Sequence, residues 1–390
     1  MFSGKICCCL GAAVCVLSPL LIAAAQEQKP VYQSFEVPGS LATYPLSINA
    51  RMTITGYYIS KSGGTHGFVR EGDGTVSRFD VAGSSSTRPD SINFAGEITG
   101  TYIAGANSPI PGMPQGFVRD ADGKITVFGN PFADDGSALQ FGPNPAEINV
   151  AGEVVGNFSH PLVAPSVFIR SRAGVVQVFS LSLGASYPTV ATGLNASGAV
   201  VGYTSSNSLE NAQGFLWSGQ GPVPNPIAGN ATGISVSGST GTFPTSINDA
   251  GAVVGCYSIN ANAGDPDLTP ALTYHDFLRE PDGTIRTLSV PGTVPYCGYT
   301  GNEFQGIFNT SPATITINGE GTIAGFYSNA ANVPTGFIEK KYGTLTSFAL
   351  PGPTITMPTA INSQDVITGY FIRGSETKGF LRLPEDYDNK

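Results

Sequence analysis

The sequence predicts an all-β fold, a seven-bladed β-propeller of four-stranded antiparallel blades, and three observations predict it. A segment close to Ile-Asn-x-x-Gly-x-Ile/Val-x-Gly-x-Tyr recurs seven times, with its asparagine at Asn49, Asn93, Asn149, Asn195, Asn248, Asn318 and Asn362. Each copy is followed by a strand close to Gly-Phe-aliphatic-Arg and usually by a Gly-bearing turn such as Asp-Gly-Thr. Charged residues make up only 12% of the chain while Gly numbers 50 and Pro 29, a mix that favours short strands joined by turns over long surface helices.

The fifth copy displays the whole unit: Ser246 to Gly251, Val253 to Tyr257, His275 to Arg279, Pro281 to Thr284 and Ile285 to Gly292. Asn followed three residues later by Gly, between apolar runs, is a tight hairpin turn, because the Asn side chain bonds the turn backbone and Gly accepts a positive φ. Asp-Gly-Thr is a second hairpin. The apolar runs are too short for helices, so one repeat is four antiparallel strands. Copies one and seven carry Met52 and Asp365 in place of the turn Gly. Met tolerates the left-handed region poorly, so the first turn is expected to differ.

Two columns are constant. The second strand carries Gly56, Gly100, Gly156, Gly202, Gly255, Gly325 and Gly369, and the third carries Phe68, Phe117, Phe168, Phe215, Phe277, Phe337 and Phe380. Glycine inside a strand costs stability unless something must approach closely, so each ring is expected to pack over a strand-two glycine. Arg70, Arg119, Arg170, Arg279 and Arg382 end the third strand, with Trp217 and Glu339 as exceptions. Their expected partners are the turn carboxylates Asp73, Asp122 and Asp282.

The termini separate a closed ring from an open stack. The seventh copy stops after Gly379-Phe380-Leu381-Arg382, and its missing fourth strand resembles Tyr32 to Gly39 near the start of the chain. The N-terminal strand is therefore expected to complete the last blade and remove an open sheet edge. With seven copies in register, the chain resembles the bacterial extracellular HAF-type repeat. That resemblance implies export and a propeller, and it brings no established activity or catalytic residues.

Residues 1–25 read as a secretory signal peptide: Lys5, an apolar stretch from Ile6 to Ala25, and a small-residue end at Ala23-Ala24-Ala25. Residues 26–390 then form one β-propeller domain, secreted to the medium or the periplasm, monomeric, and without a membrane span after signal removal. Cys7, Cys8, Cys9 and Cys15 leave with the signal, which leaves Cys256 and Cys297 for a disulfide in an oxidising compartment. Net charge is −9, a balance that repels phosphate backbones and argues against a nucleic-acid partner.

Function is expected on one face. Spacing between turn asparagines runs from 44 (Asn49 to Asn93) to 70 (Asn248 to Asn318) residues, while the tight turns barely change. The extra length falls in the strand 2–3 loops and the strand 4–1 crossings, both on the face opposite the tight turns. In copies five and six these loops hold Asp265, Asp267, Tyr274, Tyr296, Tyr299 and Glu303, residues suited to carbohydrate or protein ligands because rings stack on sugars and carboxylates accept hydroxyl bonds. The leading reading is a non-enzymatic binding module. A carbohydrate-active hydrolase or lyase on the same scaffold and a structural envelope protein are the alternatives. His66 and His275 are repeat positions and His160 reads as a loop residue, so no His/Cys set has metal spacing and no cofactor motif is present. The intact mass of the exported protein, measured without reductant, is expected to correspond to a chain starting at Gln26 with two hydrogens missing. Free thiols on both cysteines would dismiss the disulfide.

Overall fold

The computed structural model describes residues 30–129, 143–160, 163–181, 189–204, 212–219, 231–260, 262, 271–294, 315–352, 354–385 and 387. Every regular element among them is a β-strand. Strand β1 (Val31–Phe35) precedes the first unit, which is β2 (Ser40–Ile48), β3 (Ile54–Ser60), β4 (Thr65–Arg70) and β5 (Val76–Phe79). Unit two is β6 (Ser84–Ile92), β7 (Ile98–Ala104), β8 (Pro114–Arg119) and β9 (Ile125–Phe128). Unit three is β10 (Pro143–Ile148), β11 (Val154–His160), β12 (Val163–Arg170) and β13 (Val176–Phe179). Unit four is β14 (Thr189–Leu194), β15 (Val200–Thr204), β16 (Gln213–Trp217) and β17 (Ala231–Ile234), so this copy keeps a fourth strand although it lacks the Asp-Gly-Thr turn. Unit five is β18 (Gly241–Ile247), β19 (Val253–Asn260), β20 (Leu272–Arg279) and β21 (Ile285–Thr287). Unit six is β22 (Ile315–Ile317), β23 (Ile323–Ser328), β24 (Pro334–Glu339) and β25 (Leu345–Phe348). Unit seven is β26 (Ile355–Ile361), β27 (Ile367–Arg373) and β28 (Glu376–Leu383), and β1 pairs antiparallel with β28, Phe35 opposite Gly379. His160 therefore ends a strand and does not stand in a loop.

Within each unit the strands pair antiparallel in chain order, and one parallel bridge from Ala42 to Thr377 joins the last sheet to the first. The first strands touch in the order β2, β6, β10, β14, β18, β22, β26 and back to β2, which puts strand one innermost.

The turn asparagines link these inner strands. Each Oδ1 accepts the backbone N–H four residues on, that of Thr53, Glu97, Glu153, Ala199, Ala252, Thr322 or Val366. Each Nδ2 donates to the carbonyl of the next turn asparagine, from Asn49 through Asn362 and back to Asn49, at 2.8–3.2 Å. The circuit is buried, where such bonds are strengthened by the low local dielectric. Met52 does not alter its turn. It takes φ 60°, and the bonds from Asn49 N to Thr53 O and from Met52 N to Asn49 O match those of the glycine copies. Asp365 adopts φ 58° in the same way. The asparagine bonds outweigh a local strain of order 1–3 kcal/mol at each.

Each strand-two glycine lies opposite a strand-three phenylalanine in all seven units, and those rings are buried. The glycine has a second cause that spacing alone did not show. Strand one bulges one residue beyond the glycine's partner, for example between Pro89 and Ser91, and drives a carbonyl inward. A Cβ on Gly100 would stand 2.2 Å from Arg88 O.

The strand-three arginines correct the expected pairing with turn aspartates. Arg70, Arg119, Arg170 and Arg382 lie 5.0–5.2 Å from the ring centres of Phe35, Phe79, Phe128 and Phe348, each on the outer strand of the preceding unit. Asp73 and Asp282 instead accept backbone N–H bonds from Thr75 and Thr284 inside their own turns. Both exceptions to the arginine column make the same crossing: Trp217 packs on Phe179 at 5.4 Å, and Glu339 accepts from Arg286 of unit five. Phe35 also covers Gly379 as Phe128 covers Gly116, so β1 carries the outer-strand ring of unit seven. Asn195→Ala is expected to lower stability by about 2–3 kcal/mol in urea unfolding, because it strips buried N–H groups of their acceptor and unlinks units four and five. A loss below about 0.5 kcal/mol would show the circuit to be incidental.

Candidate functional site

Of the loop residues expected to meet a ligand, Tyr274 is described; Asp265, Asp267, Tyr296, Tyr299 and Glu303 lie outside the described residues, as does Cys297. Tyr274 sits on β20 and packs against the cluster of Val190, Tyr203, Ala212, Phe243 and Cys256. Cys256 is fully buried on β19 and is not a free thiol.

A second group of residues gathers at the long-loop end of the inner strands. Five positions before the turn asparagine stand Tyr44 and Arg88 on β2 and β6; eight positions after it stand Tyr57 and Tyr370 on β3 and β27. The strand pairing places Tyr44 beside Tyr57, and the ring of units brings Tyr370 and Arg88 to either side. Tyr44 stacks on Tyr57 with ring centres 4.8 Å apart and meets Tyr370 edge-on at 5.1 Å. The Arg88 guanidinium covers Tyr57 at 5.2 Å, and its Nε lies 3.2 Å from Asp90 Oδ1. All three phenols are half-buried. Burial raises the Tyr57 phenol, and burial with Tyr57 and Tyr44 alongside pushes Tyr370 up to about 12. Tyr57 and Tyr370 therefore stay neutral hydroxyls near neutral pH, able to donate and accept. On the other arc the same two positions hold Val190, Tyr203, Phe243, Cys256 and Phe326, all buried. The ring is polar and partly open on one side and apolar and closed on the other.

Three carboxyls are raised above their ordinary range. Burial raises Asp90 to about 6 against the opposing charge of Arg88 and a backbone bond from Thr101. Burial raises Glu147, on β10, to about 7; its Oε2 accepts the Leu194 N–H at 2.7 Å, extending across a unit boundary as Ser47 and Ser91 do at their own. Asp276 on β20 is fully buried and raised well above the carboxylate range by desolvation, with neither oxygen hydrogen-bonded. It stands in the column held by Gly67, Gly116, Gly214, Gly336 and Gly379, and Leu288, which follows β21 and donates its N–H to the Asp276 carbonyl, stands where several units have an outer phenylalanine.

Sequence reasoning missed these groups because it sought loop residues. Their signal was a departure from the repeat: Asp90 where three copies have Thr, Asp276 where five have Gly. On the tight-turn face a 630 Å³ cleft between units two and three is lined by Glu97, Asp120, Asp122, Thr126, Arg170 and Arg172. Arg172 bridges it by donating to Glu97 Oε1. No group of three or more metal-ligating side chains occurs among the described residues, and no helix there is long and apolar enough to cross a membrane.

Neither a family model nor a curated protein matches the chain. Solved structures match it in fold. A puromycin hydrolase S511A mutant aligns with a TM-score of 0.53 at 12% identity, over 87% of this chain and 52% of that one. A prolyl endopeptidase aligns with a TM-score of 0.51 at 12% identity, over 85% of this chain and 46% of that one. The chain thus spans about half the length of these structures. TolB from Acinetobacter baumannii aligns over 82% of this chain and 76% of that one at 12% identity, with a TM-score of 0.40. The neighbours are propeller-type proteins, and at this identity the likeness carries the fold alone.

The raised carboxyls fix the sign of a pH effect. A carboxyl whose folded pKa exceeds its unfolded value of about 4 binds more protons when folded, so its contribution is full below about pH 4 and is lost as pH rises through the folded pKa. Stability is therefore expected to rise as pH falls from about 8 to about 5, the window set by Asp90 and Glu147. Urea unfolding at both ends should show it, with a smaller rise in Asp90→Thr. A rise in stability with increasing pH would contradict the assignment.

Proposed function

We propose that the seven units form a seven-bladed β-propeller, closed by β1 as the outer strand of the last blade, and that this exported protein is a binding module of HAF-type repeats. The ligand, a carbohydrate or a peptide, sits on the long-loop face. One observation carries the reading: the half-buried cluster of Tyr44, Tyr57, Tyr370 and Arg88 at that end of the inner strands. Aromatic rims with a few fixed polar groups are the usual composition of ligand sites. Asp265, Asp267, Tyr274, Tyr296, Tyr299 and Glu303 of blades five and six extend the same face, with Cys256 and Cys297 joined beneath them. In support, Cys256 is not a free thiol, and Cys297 is the other cysteine left after export. Such a bond contributes about 2–4 kcal/mol.

The carboxyls of Asp90 and Glu147 on adjacent inner strands favour the enzyme reading next, since acid–base catalysts share such raised values. Glycan and peptide arrays separate the two. The wild type is expected to retain a ligand without releasing product, and Tyr57→Ala to weaken retention at least tenfold with the fold intact by circular dichroism. Released oligosaccharide or peptide fragments would instead establish catalysis, and unaltered retention in Tyr57→Ala would remove the cluster from the site.

A further inference from the structure

The tight-turn face carries departures from the repeat of its own. The residue after the turn asparagine is Ala50, Ala196, Asp249, Gly319 or Ser363 in five copies, small or polar as suits an exposed turn. In units two and three it is Phe94 and Val150, 53% and 56% exposed. Val175, beyond the second hairpin turn of unit three, is 60% exposed. These three side chains stand one or two residues along the chain from Ala95, Gly152 and Ala173, which line the 630 Å³ cleft between the two units. The Arg51 guanidinium of unit one lies over the Phe94 ring at 4.8 Å and holds it in place. Large apolar side chains gathered around one cleft mark an interaction surface, and a ring already ordered loses little freedom on binding.

The charges of the cleft decide what fits it. Arg172 donates to Glu97 Oε1 at 2.5 Å, and Glu97 Oε2 accepts from Asn93 Nδ2. The Arg170 guanidinium lies on the Phe128 ring, and its Nη1 donates to the Ser171 carbonyl. Both cations and the buried acid are thereby occupied. Asp120 and Asp122 are not. Asp122 Oδ1 accepts the Lys124 N–H at 3.3 Å, and no ion pair reaches either carboxylate among the described residues. Their charges act on Arg170 and Arg119 only from beyond contact distance. With three carboxylates against two guanidiniums, the lining carries one net negative charge. We propose that this face of units two and three docks a protein partner through a peptide segment in which a lysine or arginine is flanked by apolar residues. The basic side chain enters the cleft to meet Asp120 and Asp122, and its neighbours cover Phe94, Val150 and Val175. A second copy of this chain, with its net charge of −9, is the poorer complement. The surface lies on the face opposite the tyrosine cluster and is independent of the function proposed there.

Fluorescence anisotropy with the full exported chain tests it. The probes are labelled Gly/Ser peptides carrying a central Leu-Arg-Leu, Leu-Lys-Leu, Leu-Gln-Leu or Leu-Glu-Leu. The two basic peptides should bind about tenfold more tightly than the Gln peptide, and the margin should shrink as salt rises from about 0.05 to about 0.5 M. The double variant Asp120→Asn, Asp122→Asn keeps the acceptor for Lys124 and should erase the preference for a basic centre. Phe94→Ser, with the fold intact by circular dichroism, should weaken binding of the basic peptides about fivefold or more. Equal binding of the Arg, Gln and Glu peptides overturns the charge complement. Basic-peptide binding that survives in both variants, or that only Tyr57→Ala abolishes, places the peptide elsewhere and overturns the site. Self-association in sedimentation that Phe94→Ser dissolves makes a second copy the occupant and overturns the peptide partner, as does the absence of binding by every probe.

Discussion

The constraint on which the rest of the molecule depends is the placement of one asparagine per unit at the end of each innermost strand. Its carbonyl oxygen organises its own turn, and its amide donates to the next turn along. Local and global structure are fixed by one side chain, so the turn cannot form without presenting its donor to the neighbour. Serine or aspartate would cap such a turn, but neither offers both an acceptor for the backbone and an N–H for the next carbonyl. This dual chemistry explains why Met52 accepts a left-handed backbone conformation: the asparagine upstream still closes the bonds around it.

Outward from that circuit, units meet through a second recurring device. The outer strand of each typical unit presents a phenylalanine, and the following unit covers it with an arginine and a phenylalanine of its own third strand, as Phe79 is covered by Arg119 and Phe117. A guanidinium lying on a ring satisfies its charge without a carboxylate partner. The devices differ in generality. Trp217 and Glu339 replace the arginine without loss of the crossing, because any group that reaches the previous outer strand will serve. Nothing replaces the asparagine.

A scaffold so repetitive gives its exceptions meaning. Most columns hold one residue type for a packing reason, so a carboxyl in a column of threonine or glycine sits in surroundings built for something else. Asp90 keeps a buried Oδ2 without a hydrogen-bond partner, and Asp276 stands where five copies have glycine and finds a partner for neither oxygen. Burial drives both acids towards their neutral form, against partial compensation by Arg88 at Asp90 and against none at Asp276.

The all-β class, the four-strand unit, its turns and the pairing of β1 with the last sheet were legible in the sequence, because each follows from short-range chemistry repeated in register: Asn with Gly, alternating apolar runs, and a terminal strand resembling the one that is missing. The partners of Arg70 and its equivalents were not, since a side chain ending a strand reaches either the turn beside it or the sheet behind it, and only packing chooses. Nor was the cluster of Tyr44, Tyr57, Tyr370 and Arg88, whose members are dispersed from β2 to β27 and meet because the ring brings the last sheet against the first. Chain order determines which strands form and how each unit folds back on itself; which side chains share a site is decided by the packing of one unit on another, through contacts that local sequence does not encode.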